Sequence, residues 1–350
     1  MKTILQLIIL SIFFISCKEE KYKYDISDFR NELRPSLKNL SKEKSLPSKD
    51  TIASNFIDKN ASKEELIKLM DSKSPLLRVI AYRTIVNKQE PEYFNLLINH
   101  LSDTAKVTWW YYEDAADYFF VSDLMIRKAH DKDGLSPIQK KYLVDKVLLE
   151  NPYLETSTWM IQDINPNEKY YKLIKKRAGL KSEKCREQLS ACFALSKFRN
   201  KEDVNLLYQV FQQNIKNESC IMWIFRSIEK YPNDKFFPIL EDYFEKKIKG
   251  KLSSEENLFD DVLYFSRAVA AYKNEKALTI LKYIEQNNTY INKPYWPPSN
   301  KQYVYKAVLI NYDTIYDDFI KQVKKEFKKE DLDKFRFGQD LLEYNERPSW

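Results

Sequence analysis

The densest run of chemically capable side chains in the sequence is Trp109-Trp110-Tyr111-Tyr112-Glu113-Asp114, followed by Asp117 and Asp123. Paired carboxylates beside aromatic rings are what glycoside hydrolysis uses, with the separation of the acids setting the stereochemical outcome. Read as one helix, the run places Glu113 and Asp117 at i and i+4, where like charges repel by roughly 0.2–0.5 kcal/mol unless a cation, a helix N-terminus or a ligand compensates. Trp109, Trp110, Tyr111, Asp114 and Asp117 are therefore candidate ligand-binding residues. Acids at the start of a packed helix produce the same pattern, so no catalytic residue is assigned.

A second candidate is the proline-aromatic loop between Tyr290 and Val304, in which Tyr295 and Trp296 stand among Pro294, Pro297 and Pro298. Exposed aromatics on a rigid loop suit recognition of peptides or sugars. A cover folded over the end of a repeat array would use the same residues.

The remaining reactive groups are sparse. His100 and His130 have no second histidine or cysteine at zinc-ligand spacing, and His100 reads as a packed histidine. Asp131-Lys132-Asp133-Gly134 is spaced like part of a calcium loop. Setting Gly134 at the sixth position, however, puts Ala129 first and Lys140 twelfth, where carboxylates are required. Ser136-Pro137 reads as a helix cap followed by a first-turn proline. Cys185 and Cys192 fall on one helix, about 10 Å apart by helical rise, too far to bridge. Either can approach Cys220 one unit later, but the expectation is three buried thiols. No metal and no cofactor is expected.

The N-terminus has a different chemistry. Lys2 supplies a positive start, residues 4–15 form a short apolar run, and Phe14-Ile15-Ser16-Cys17 closes it. That order and length read as a signal peptide over residues 1–16, too short to span a bilayer. The closing residues resemble the lipobox of bacterial lipoproteins, with Phe14 where leucine is usual. The resemblance implies that Cys17 is lipidated through its sulfur and becomes the new N-terminus, on the chemical ground that a thiolate can take the lipid. Lys18-Glu19-Glu20 resemble the signal that sends some lipoproteins to the outer face of the outer membrane. Residues 17–50 are otherwise polar and read as a tether, with one helix near residues 26–40.

The rest of the chain carries helical periodicity with almost no alternating strand-like runs. Asn167, Asn200, Asn233 and Asn274 recur at spacings of 33, 33 and 41, each seven residues before an apolar position: Ile174, Leu207, Leu240 and Leu281. Asparagine tolerates the left-handed backbone that ends one helix, and its side chain can cap the next. Each unit is thus a helical hairpin. Residues 71–107 resemble a HEAT repeat directly, with Pro75, Arg78 and Ala81 on the first helix, Leu96, Leu97 and Leu101 on the second, and Asp103 then Val107 beginning the next. The resemblance implies an all-α body over residues 51–350, an α-α superhelix of HEAT or armadillo type with about seven hairpins. A closed α/α barrel or an irregular helical bundle is the alternative.

Composition narrows the function. Of 350 residues only four are glycine: Gly134, Gly179, Gly250 and Gly338. The first three fall between helical patterns, where positive φ closes helices. With so few, no glycine-rich phosphate loop, dinucleotide fingerprint or nucleophile elbow can be built. The net charge of +7 is mild, lysine and acid alternate along Lys321 to Lys334, and a pI of 8.8 misses the basic-domain criterion, so nucleic acid is not an expected partner. The expectation is a non-enzymatic, lipid-anchored envelope protein on the outer membrane, holding a protein or peptide. Alternatives are a glycan-binding or glycan-hydrolysing lipoprotein using residues 109–123, and an immunity-type lipoprotein that sequesters a toxin.

Overall fold

The computed structural model describes residues 22–43, 45–46, 51–110, 116–131, 134–182, 185–217, 220–250, 259–287 and 300–326. Cys17, Lys18, Glu19, Glu20, Tyr111, Asp114, Tyr295 and Trp296 lie outside them, as does Gly338. The protein is all-α, with one small sheet among the described residues. It divides into two compact units, Met1–Ser157 and Thr158–Trp350. None of the described helices is long and apolar enough to cross a membrane.

Unit 1 is built around α4 (Pro75–Asn87). Ser74 and Pro75 start it, proline being suited to a first turn that has no amide partner to lose. Leu77, Ala81, Tyr82 and Ile85 are buried to 1% exposure or less. Against α4 pack α1 (Arg34–Lys42), α2 (Ile52–Asn60), α3 (Lys63–Leu69), α5 (Tyr93–Asn99) and α6 (Val121–His130). α7 (Pro137–Asp145) opens with the Ser136 cap and first-turn proline expected from the sequence, and Gln139 completes the reciprocal cap. The helix expected near residues 26–40, within the segment read as a tether, is present as α1. Leu33, Leu37 and Leu40 repeat at helical spacing and are buried to 2% or less, a face whose burial is worth about 1.5–3 kcal/mol per leucine.

The sheet is the largest departure from expectation. β2 (Lys106–Trp110) and β3 (Ala116–Phe120) form an antiparallel hairpin, with Trp109 opposite Asp117 and Thr108 opposite Tyr118. β1 (Ser45–Leu46) lies parallel to the other side of β2, giving the order β1-β2-β3. The acidic-aromatic run is thus not one helix. Val107, Thr108, Trp109, Trp110, Tyr118, Phe119 and Phe120 are β-branched or aromatic, and their fit to a pleated surface outweighs the helical pattern around them.

In unit 2, α8 (Glu155–Asp163), in which the division falls, and α9 (Glu168–Gly179) lead into alternate helices that stack on one another. These are α10 (Cys185–Ser196), α12 (Ile221–Lys230), α14 (Phe259–Ala270) and α16 (Asn300–Ile310). Between them α11 (Val204–Asn214), α13 (Phe237–Tyr243), α15 (Glu275–Gln286) and α17 (Asp317–Glu326) return the chain. This layering is shared by solenoids and helical bundles. Phe211, Phe225, Phe236 and Phe265 are fully buried, and their rings meet edge to face, as Phe225 does with Phe265 at 5.3 Å between centroids.

All four recurring asparagines cap helical turns: their side chains accept from Lys169, Glu202, Lys235 and Ala277 backbone N–H groups. The left-handed residue is not the asparagine, however. It is Arg199 (φ 52°) before Asn200 and Lys273 (φ 53°) before Asn274. A capping side chain reaches the next amides only from extended backbone, so the reversal falls one residue earlier. Among the glycines described, only Gly250 has positive φ, at 72°. Gly179 ends α9 without it.

Candidate functional site

On the β2–β3 hairpin, side chains alternate between faces. Val107, Trp109, Asp117 and Phe119 share one face. Val107 and Phe119 are buried, and the Trp109 and Phe119 rings meet at 5.7 Å. The Arg127 guanidinium from α6 lies over Phe119 at 4.6 Å and over Trp109 at 5.6 Å. The other face carries Lys106, Thr108, Trp110, Ala116, Tyr118 and Phe120. There Trp110 is 40% and Tyr118 68% exposed. Thr108 and Tyr118 are directly opposed, so Trp110 and Tyr118 are diagonal neighbours on this face, within reach of aromatic side chains.

The candidates therefore separate. Trp109 is spent on packing, while Trp110 remains available. Asp117 is exposed, and its Oδ1 accepts from the Tyr118 backbone N–H at 2.7 Å. Asp123 is 1% exposed on α6, where its Oδ1 accepts from the Thr156 N–H at 2.9 Å and the Thr156 hydroxyl at 2.6 Å. That carboxylate holds the first turn of α8 and is not part of any acid pair with Asp117.

His100 is the packed residue expected: it is 4% exposed, with Nδ1 2.8 Å from the Leu96 carbonyl and Nε2 3.1 Å from that of Met70. Arg78 and Asp103 meet as a buried pair, Nε to Oδ2 at 2.7 Å and Nη2 to Oδ1 at 3.0 Å, under the Tyr22 ring. The cysteine expectation is corrected: Cys185 and Cys220 form a disulfide across Cα atoms 6.2 Å apart, and Cys192 alone stays a buried thiol. Burial pushes that thiol well above its ordinary pKa, so it is a poor nucleophile. The sequence allowed either Cys185 or Cys192 to approach Cys220 one unit later, and it is Cys185 that bridges. Among the described residues no three histidine, cysteine or acidic side chains come together as they would around a metal ion.

One pattern escaped the sequence reading. Arg226, Arg267 and Lys306 each stand seven residues before a capping residue, Asn233, Asn274 and Asp313, and three after an aromatic, Trp223, Tyr264 and Tyr303. All three cations are buried. Arg226 lies 4.5 Å from both the Phe193 and Trp223 ring centroids, and Arg267 pairs with Glu229 through two 3.0 Å contacts. Asn311 adds a hydrogen bond to the same carboxylate. Aligning the sequence on its capping residues, with Asp313 included as a fifth, exposes this register.

Comparison with protein-family models, curated proteins and solved structures gave no match for this chain.

Proposed function

We propose that the protein is a non-enzymatic binding lipoprotein of the bacterial cell envelope, anchored by lipid on Cys17 and displayed on the outer membrane, whose helical body holds a protein or peptide. The observation that carries the binding role is the outward face of the β2–β3 hairpin. There Trp110 and Tyr118 stand in solvent, while their neighbours Trp109 and Phe119 are packed. Tyrosine and tryptophan supply large contact area at small entropic cost, which is why they dominate recognition surfaces.

Three further features support the assignment. The order of Lys2, the apolar run and Cys17 is that of a lipoprotein signal. The Cys185–Cys220 disulfide suits an oxidising, extracytoplasmic compartment. The Arg78–Asp103 pair joins the arginine and aspartate picked out by the HEAT-repeat resemblance, which favours a repeat body of that kind.

The test is capture from native membranes with the acylated chain, comparing it with the Trp110→Ala/Tyr118→Ala variant. A partner protein recovered with the first and lost with the second is the expected result, together with loss of membrane association in Cys17→Ser. Recovery of no protein, alongside oligosaccharide binding abolished by Trp110→Ala, would replace this reading with a glycan binder.

A further inference from the structure

The hairpin has a second property, independent of its aromatic face. In the order β1-β2-β3, β3 is terminal, and among the described residues no strand pairs with its outer side. Which backbone groups face outward follows from the ladder. Val121 N–H donates to the Ala105 carbonyl, so residues 117, 119 and 121 turn their hydrogen-bonding groups to β2, and those of Ala116, Tyr118 and Phe120 point away. The Tyr118 N–H agrees, because it is held by the Asp117 carboxylate instead of by β2.

An exposed row of alternating donors and acceptors is a template for another extended backbone. Residues 116–118 are exposed, so nothing described covers that edge. The sheet already accepts a short added strand on its opposite side, where Ser45 and Leu46 join β2 in parallel. The Asp117 oxygen, 2.7 Å from the Tyr118 nitrogen, occupies the place a carbonyl of an added strand would take.

Resting on the binding role given above, we infer that the partner is engaged as an extended peptide segment that adds to β3 as a fourth strand. Its carbonyl replaces Asp117 at the Tyr118 N–H, and the released carboxylate then takes a basic side chain of the peptide. Its residue beside Tyr118 is aromatic or β-branched, packing on the Tyr118 ring as cross-strand pairs do.

The test uses a displayed library of random peptides selected on the full chain, with the best binder resynthesised carrying N-methyl groups on alternate backbone amides. Methylating the set that faces β3 should weaken binding by about tenfold or more, and methylating the other set should change it less than about twofold. Equal sensitivity of both sets, no selected binder, or a chain already dimeric through β3 would overturn the inference. Partner capture that depends on Trp110 and survives any of these outcomes would leave the binding role standing and strand addition refuted.

Discussion

Asp123 and Thr156 are joined twice, the carboxylate Oδ1 accepting from both the backbone N–H and the hydroxyl, and both residues are 1% exposed. Asp123→Ala leaves two buried donors unpaired, for an expected loss of about 1–3 kcal/mol in urea unfolding. Asp123→Asn retains an acceptor and should lose less. Ligand binding at the hairpin should be the same in both variants below their unfolding transitions, because the carboxylate serves α8.

Arg78 and Asp103 form a pair in which neither side chain exceeds 2% exposure. Removing the arginine alone strands a buried carboxylate, and Arg78→Ala should destabilise by about 3–5 kcal/mol. The double variant Arg78→Met/Asp103→Leu should be more stable than either single truncation, a difference that a double-mutant cycle measures directly.

Reduction of the Cys185–Cys220 disulfide, or Cys185→Ser/Cys220→Ser, should lower stability by about 2–4 kcal/mol, since the bridge closes a separation of 35 residues. Cys192 should resist thiol reagents in the native protein and react only on unfolding. Mass spectrometry of the alkylated chain before and after denaturant reads both.

Alkali should unfold the protein through its tyrosines. Burial raises the phenol pKa of Tyr82, Tyr272 and Tyr316 above the ordinary value of 10.0. The folded state therefore keeps protons that the unfolded chain releases above that value. Their contribution is present in full below about pH 10 and falls as pH rises, by about 1.4 kcal/mol per pH unit for each such tyrosine. The tyrosinate absorbance of these three buried residues should appear together with loss of helical circular dichroism, not before it.

The all-helical class was legible because helical spacing of apolar residues survives along most of the chain, and the asparagine register located the caps. What the sequence concealed has physical causes. The hairpin is too short to show more than a few alternations, and the acids around it imitate a helix start. Its aromatics nevertheless favour a pleated surface. The N-terminal segment reads as a tether because charged and polar residues flank each buried leucine, although the helix within it was legible; Leu33, Leu37 and Leu40 taken together form its packed face. Of the candidate site residues that are described, Trp110 is exposed, Trp109 is packed, and Asp117 lies on a strand. Tyr118 was missed because its exposure beside Trp110 depends on the pairing of β2 with β3, a fact no single segment contains.

The early start of the fold bears on how far the protein can search. Tyr24 bridges to Ser72, and the Arg78 guanidinium sits 3.8 Å from the centre of the Tyr22 ring. On the proposed lipidation of Cys17, four residues stand between that cysteine and Tyr22 in the sequence, and four residues at full extension reach about 14 Å. Unit 1 is then moored at the headgroups. On that proposal it would sweep a shallow layer of the membrane surface by lateral diffusion, and a partner would have to come to that layer to be met.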